Sequence, residues 1–130
     1  MVQKEILVSV IDDDESVRRA FQILLRSAGF NSHACSSAEE FLESPSLSDS
    51  SVVILDMRMP GMTGLDFLKK LASRKKRIPV IAVSAYDDRQ TRDLARQLGA
   101  LVFFRKPVDD QALLDAIWWA IQGAEKKEMG

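Results

Sequence analysis

The sequence predicts an α/β fold of the (βα)5 type, a doubly wound sandwich built on a parallel five-stranded sheet. Three observations carry that prediction. Short apolar, β-branched runs recur at Ile6–Ile11, Phe30–Cys35, Val52–Leu55, Pro79–Ser84 and Leu101–Phe104. Between them lie stretches with the 3.6-residue periodicity of amphipathic helices. Strand and helix alternating at this spacing imply parallel strands, right-handed crossovers and helices on both faces.

Each element has a local cause. Ile6–Ile11 (ILVSVI) is the near-continuous apolar run of a strand buried on both faces. Ser16–Ala28 follows, with Val17, Phe21, Leu24 and Leu25 on one face, and Gly29 stands where a C-terminal cap belongs. Phe30–Cys35 is a weaker strand. Ser36-Ser37-Ala38-Glu39-Glu40 offers a capping box in either register before Phe41 and Leu42. Ser44–Ser51, rich in Ser, is expected to be a loop. Val52–Leu55 is strongly apolar and ends at Asp56. Met57–Thr63 contains Pro60 and Gly61 and reads as a loop. Gly64–Ser73 is a helix, Arg74–Arg77 a basic turn, and Pro79–Ser84 a strand. Asp88–Leu98 is a helix capped by Gly99, Leu101–Phe104 a strand, and Asp109–Ile121 the last helix. Gly123–Gly130 is polar and is expected to fray.

Composition narrows the functional classes. The 130 residues fit one domain, with a core at about 5–122, and are 46% hydrophobic and 28% charged. A net charge of −1 lacks the basic footprint of a nucleic-acid binder, so direct nucleic-acid binding by this domain is not expected. Cys35 is the single cysteine, which excludes an internal disulfide and a cysteine-based zinc site. The N-terminus lacks signal-peptide features. The longest apolar run, Ala116–Ile121, is far short of a membrane span. A cytoplasmic protein without membrane attachment is expected.

The chemistry sits at strand ends. Asp12-Asp13-Asp14 follows the first strand, Asp56 the third, Ser84 ends the fourth, and Lys106-Pro107 follows the fifth. In an open parallel sheet these carboxyl ends form the ligand crevice. Clustered acids there suit a hard divalent cation such as Mg²⁺. An Asp beside that cation suggests a carboxylate nucleophile toward phosphorus. Ser84 is placed to donate to a phosphoryl oxygen, and Lys106 to pair with one as a point charge. Taken singly, each residue has a bland role, as a cap, a turn residue or a solvated lysine. Asp14 is the acid expected only to cap the following helix. It is the joint pattern that marks a site.

At this point the strings VSVIDDDESVR, VVILDMRMPGMTG, PVIAVSA and GALVFFRKPV resemble the receiver domain of two-component response regulators. The resemblance covers about Ile6 to Ile121. Its spacing is demanding: 43 residues from Asp13 to Asp56, 28 on to Ser84 and 22 more to Lys106. ESVRRAFQILLRSAGF, SSAEEFL and VDDQALLDAI lean toward FixJ-type receivers.

The resemblance implies a flavodoxin-like, CheY-like sheet of order 2-1-3-4-5. It implies Asp56 as phosphoacceptor, taking a phosphoryl group from a sensor histidine kinase or a phosphotransfer protein. Asp13, Asp56 and the carbonyl of Arg58 would hold Mg²⁺, and Asp12 would act through water. Ser84, Lys106 and the amide of Ala85 would contact phosphoryl oxygens, and Lys106-Pro107 would be cis. Ser84 and Phe103 would form the switch, Phe103 turning inward as Ser84 moves. The altered surface would comprise the fourth helix, fifth strand and last helix, and a homodimer could form through it.

Particular residues qualify the picture. Arg58, two residues after Asp56, and Tyr86, two after Ser84, occupy rim positions together with Ala85, and the bulk of Arg58 and Tyr86 predicts a comparatively long-lived phosphoaspartate. On the last helix, Leu113, Leu114, Ile117 and Ile121 share one face. Trp118 flanks that stripe and Trp119 lies almost opposite, so Trp119 is a candidate for dimerisation or effector docking. His33, the only histidine, is read as structural. FixJ-type receivers usually precede a DNA-binding domain, so the chain is expected to be either a stand-alone receiver or the receiver part of a transcription regulator. Two readings from other classes stand beside these. A Mg²⁺-dependent phosphohydrolase would want a second acid two residues after Asp56, where Arg58 stands. An interaction module without phosphorylation would be marked by a lost acid or lysine, and none is lost. A self-phosphorylating acceptor, not a turnover enzyme, is the expectation.

Overall fold

The structure is a computed structural model that describes residues 5–75, 77–86 and 88–129, with side chains to residue 123. Among these residues the elements run β1 (Leu7–Ile11), α1 (Glu15–Ser27), β2 (Asn31–Cys35), α2 (Ala38–Leu42), α3 (Ser46–Asp49), β3 (Val52–Asp56), α4 (Gly64–Ser73), β4 (Val80–Ser84), α5 (Arg89–Gln97), β5 (Val102–Arg105) and α6 (Asp110–Met129). The strands form one sheet of order β2-β1-β3-β4-β5. Every pairing is parallel. The expected architecture and strand order are therefore those observed, with strand boundaries shifted by one residue or less; β3 extends by one to take in Asp56.

Alternation along the strands divides the core in two. Val53, Leu55, Val80, Ala82 and Phe103 face a cluster with Phe41, Phe67, Leu68, Leu71 and Ala95 from α2, α4 and α5. Val8, Val10, Val52, Ile54, Ile81 and Val83 face Leu25 of α1 and Leu113, Ile117 and Ile121 of α6. β3 and β4 are buried at every position, which is why they run apolar without alternation up to Asp56 and Ser84. At roughly 1.5–3 kcal/mol per large apolar side chain, this two-faced burial is what holds the helices on the sheet.

Caps set the helix ends. Asp14 is the N-cap of α1, its Oδ1 accepting from the Ser16 amide at 2.8 Å and the Ser16 hydroxyl at 2.7 Å. Those bonds hold its carboxyl below the ordinary value. At the other end, the Phe30 amide donates to Leu25 O and the Gly29 amide to Arg26 O. This is a Schellman closure that requires the left-handed backbone of Gly29 (φ +88°). Ala100 and Gly99 (φ +108°) close α5 in the same way. Before α2, both candidate capping serines are used. Ser37 Oγ accepts from the Glu40 amide, while the Glu40 carboxylate turns back to the amide and hydroxyl of Ser36.

Two expectations need correction. Ser44–Ser51 is not all loop. The Ser44 hydroxyl accepts from the Ser46 amide, and the one-turn helix α3 forms behind Pro45. The fourth and fifth expected helices are consequently α5 and α6. Nor does the last helix end at Ile121, since α6 runs helical to Met129. Gly123 costs the helix about 1 kcal/mol, and residues 124–129 (AEKKEM) are good helix formers. No helix among the described residues is long and apolar enough to cross a membrane.

Candidate functional site

Because the strands are parallel, their carboxyl ends meet at one edge of the sheet. Asp12 follows β1 directly, Asp56 ends β3 and Ser84 ends β4, and all three are buried polar residues. Asp13 is exposed beside them. Carboxylate oxygens of Asp12, Asp13 and Asp56 lie within 4.8 Å of one another. Lys106 follows β5, its Lys106-Pro107 bond is cis, and its amide donates to Ser84 O at 2.8 Å. Its Nζ donates to Asp12 Oδ2 at 2.7 Å and stands 3.7 Å from Asp56 Oδ2. The pairing of Lys106 with Asp12 spans 94 positions and was not anticipated in the sequence.

Asp12 is held on every polar atom. Oδ1 accepts from the Asp14 amide, Oδ2 from Lys106, its amide donates to Cys35 O, and its carbonyl accepts from Arg18 Nη1 at 2.8 Å. Asp56 is less well compensated. Its Oδ1 accepts from the Arg58 amide at 3.2 Å. Burial first, and then the charge of Asp12, push its carboxyl up to about 6, against the pull of the Arg58 amide and Lys106. Three carboxylates against one ammonium leave an anionic pocket of hard oxygen donors. That donor set fits Mg²⁺, Ca²⁺ or Mn²⁺ rather than a thiophilic metal.

This pocket, on this strand order, has a known counterpart. The profile of the response regulator receiver domain matches residues 8–118. The chain belongs to that family. Among curated relatives, nodulation protein W of Bradyrhizobium diazoefficiens is 38% identical over 93% of this chain and 53% of its own length. The response regulator protein TmoT of Ectopseudomonas mendocina is 37% identical over 98% of this chain and 58% of its own length. The chain thus spans little more than half the length of these relatives. Among solved structures, the response regulator StyR superposes with a TM-score of 0.88 at 39% identity, over 96% of this chain and 64% of that one. FixJ-N superposes with a TM-score of 0.82 at 32% identity, over 92% of this chain and 96% of that one.

Two of the residues expected at the rim are in contact with each other. The Arg58 guanidinium lies 4.4 Å from the centre of the exposed Tyr86 ring. The backbone at both positions is tied into the site, Arg58 N to Asp56 and Tyr86 N to Ser84 Oγ at 3.2 Å. Ala85 is exposed between Ser84 and Tyr86. Phe103 is already buried, beside its small register partner Ala82 and with the Arg92 guanidinium 5.3 Å from its ring centre. Its strand neighbour Phe104 packs toward the opposite core. Trp118 packs on Phe30 with ring centres 5.0 Å apart and the rings tilted by 49°, yet stays exposed, and Trp119 is more exposed still at 58%. Sequence reasoning missed Arg18 and Arg92. The available signal was slight: each is one of three arginines on its helix, and nothing local sets it apart from the other two.

Proposed function

We propose that this receiver domain accepts a phosphoryl group on Asp56 in a Mg²⁺-dependent reaction, from the phosphohistidine of a sensor histidine kinase or phosphotransfer protein. The observation that carries the reading is the buried Asp56 flanked by Asp12, Asp13 and a Lys106 that is bonded to Asp12 yet within 3.7 Å of Asp56. An Asp56 oxygen attacks phosphorus, the P–N bond breaks, and the imidazole leaves with the bond's electron pair. Asp13, Asp56 and the Arg58 carbonyl are the residues that would hold Mg²⁺, with Asp12 acting through water. Bound there, the ion supplies neutralisation of phosphoryl charge. Lys106 Nζ needs only a short swing from Asp12 to reach an incoming phosphoryl oxygen. Ser84 Oγ accepts from the Tyr86 amide, so its proton is available to the same group. The Ala85 amide would serve a further oxygen.

Output follows from the same residues. Once Ser84 is drawn to the phosphoryl group, the space beside Ala82 holds Phe103 inward, and the α5-β5-α6 surface takes its active form for partner binding or dimerisation. Trp119 is a contact residue in that scheme. The relatives' coverage and names, which include the transcriptional regulatory protein FixJ, support a receiver serving a DNA-binding regulator. The cytoplasm is the compartment proposed. Arg58 in place of an acid two residues after Asp56 speaks against a phosphohydrolase.

The test is intact mass after acetyl phosphate, with and without Mg²⁺, on this chain and on Asp56→Asn. A Mg²⁺-dependent gain of one phosphoryl group, absent in the variant, is expected. No gain with acetyl phosphate or a phosphorylated kinase would leave only an interaction module. Continuous phosphate release with little bound phosphate would favour hydrolysis.

A further inference from the structure

We propose that Arg18 is a positioning residue for the acidic pocket, acting through Asp12; the inference rests on the Mg²⁺ reading of that pocket. Arg18 is half-buried on α1, and its Nη1 donates to the Asp12 carbonyl at 2.8 Å, six residues back along the chain. Its own amide is bonded to Asp14 O, so the same residue ties both sides of the turn between β1 and α1. That turn carries Asp12, Asp13 and Asp14. With the carbonyl held by Arg18 and the amide by Cys35 O, the two peptide units that flank Asp12 are each anchored at the strand end. Its carboxylate is thereby aimed at Lys106 and the Asp14 amide, and the following residue, Asp13, is set beside Asp56. The guanidinium also sits where the loops after β1 and β2 meet, close enough for its charge to act on Glu40 and Cys35.

Positioning and simple charge make opposite predictions, which gives the test its force. Arg18 is a cation near a cation site, so deleting its charge alone would tighten Mg²⁺ binding. Loss of positioning would weaken it, because two of the three carboxylates lose their fixed relation to the third. Mg²⁺ is titrated calorimetrically into the full chain, into Arg18→Ala and into Arg18→Lys, with urea unfolding in EDTA alongside. We expect at least a threefold weaker Mg²⁺ affinity in Arg18→Ala and an affinity within twofold of the original in Arg18→Lys, which keeps a donor and a charge. If Arg18→Ala fails to fold, Arg18→Met, which keeps the apolar stem without a donor, takes its place. Unchanged or tighter binding in the donorless variant, whatever its stability, overturns the proposal while leaving the Mg²⁺ reading intact. An original chain that binds no Mg²⁺ overturns both.

Discussion

Replacing Asp56 by Asn should make the domain more stable when no divalent cation is present. Asp56 is 4% exposed, and its carboxyl is raised from 3.8 to about 6 by burial and by the neighbouring Asp12. Raising a folded-state acid above its unfolded value means that the folded protein loses stability as pH climbs. The contribution is intact below about 4, declines between about 4 and 6, and is fully lost above 6. A shift of about two units corresponds to roughly 3 kcal/mol, and solvent reaching the open cleft reduces that to about 2 kcal/mol. Asn has nearly the same shape, keeps an acceptor for the Arg58 amide, and leaves the Lys106–Asp12 pair in place. The variant should therefore gain about 2 kcal/mol at pH 7.5 in EDTA, or about 5–10 °C in melting temperature. The gain should shrink to a fraction at pH 4. Adding Mg²⁺ should narrow the difference at pH 7.5, because ligand binding stabilises the original chain more than the variant. Urea unfolding at both pH values, with EDTA or Mg²⁺, measures all four cases. A variant no more stable than the original at pH 7.5 in EDTA, or a gain that is the same at pH 4, would refute the reasoning.

Three further outcomes are expected. Arg58→Ala combined with Tyr86→Ala removes the stacked rim and should speed loss of the phosphoryl group severalfold in a timed mass assay; an unchanged rate ends the shielding role. Gly64→Ala should cost about 1–3 kcal/mol in chemical denaturation. The added Cβ would stand 2.7 Å from Met57 Cα, where backbone cannot yield, and a neutral effect would mean that the start of α4 is free to shift. Trp119→Ala should leave stability within about 0.5 kcal/mol, since the residue is 58% exposed, while weakening self-association or effector binding in sedimentation and pull-down measurements. If both are unchanged, Trp119 has no interface role.

Much of this protein was legible before any coordinates. The fully apolar runs of β3 and β4 state that both sheet faces are covered, because only a doubly buried strand dispenses with alternation. Gly29 and Gly99 mark helix ends because their left-handed backbone excludes most other residues. Asp12, Asp13, Asp56, Ser84 and Lys106 could be placed at one edge of the sheet, since parallel strands align their carboxyl ends. α3 was hidden because Ser and Pro favour turns, and its serines bond locally in ways that pattern alone does not distinguish from a loop.

Other features belong to the tertiary structure. The bond from Lys106 to Asp12, the hold of Arg18 on the Asp12 carbonyl, the stack of Arg58 on Tyr86 and the cover of Arg92 over Phe103 join residues whose local sequences say nothing of one another. Long polar side chains have many rotamers, and only the neighbours supplied by packing select one. The sequence by itself determined which elements form and which strand ends carry charge, because those follow from periodicity and backbone preference. Only the tertiary structure decided which charge meets which, because that depends on strand order and on distances between elements far apart in the chain.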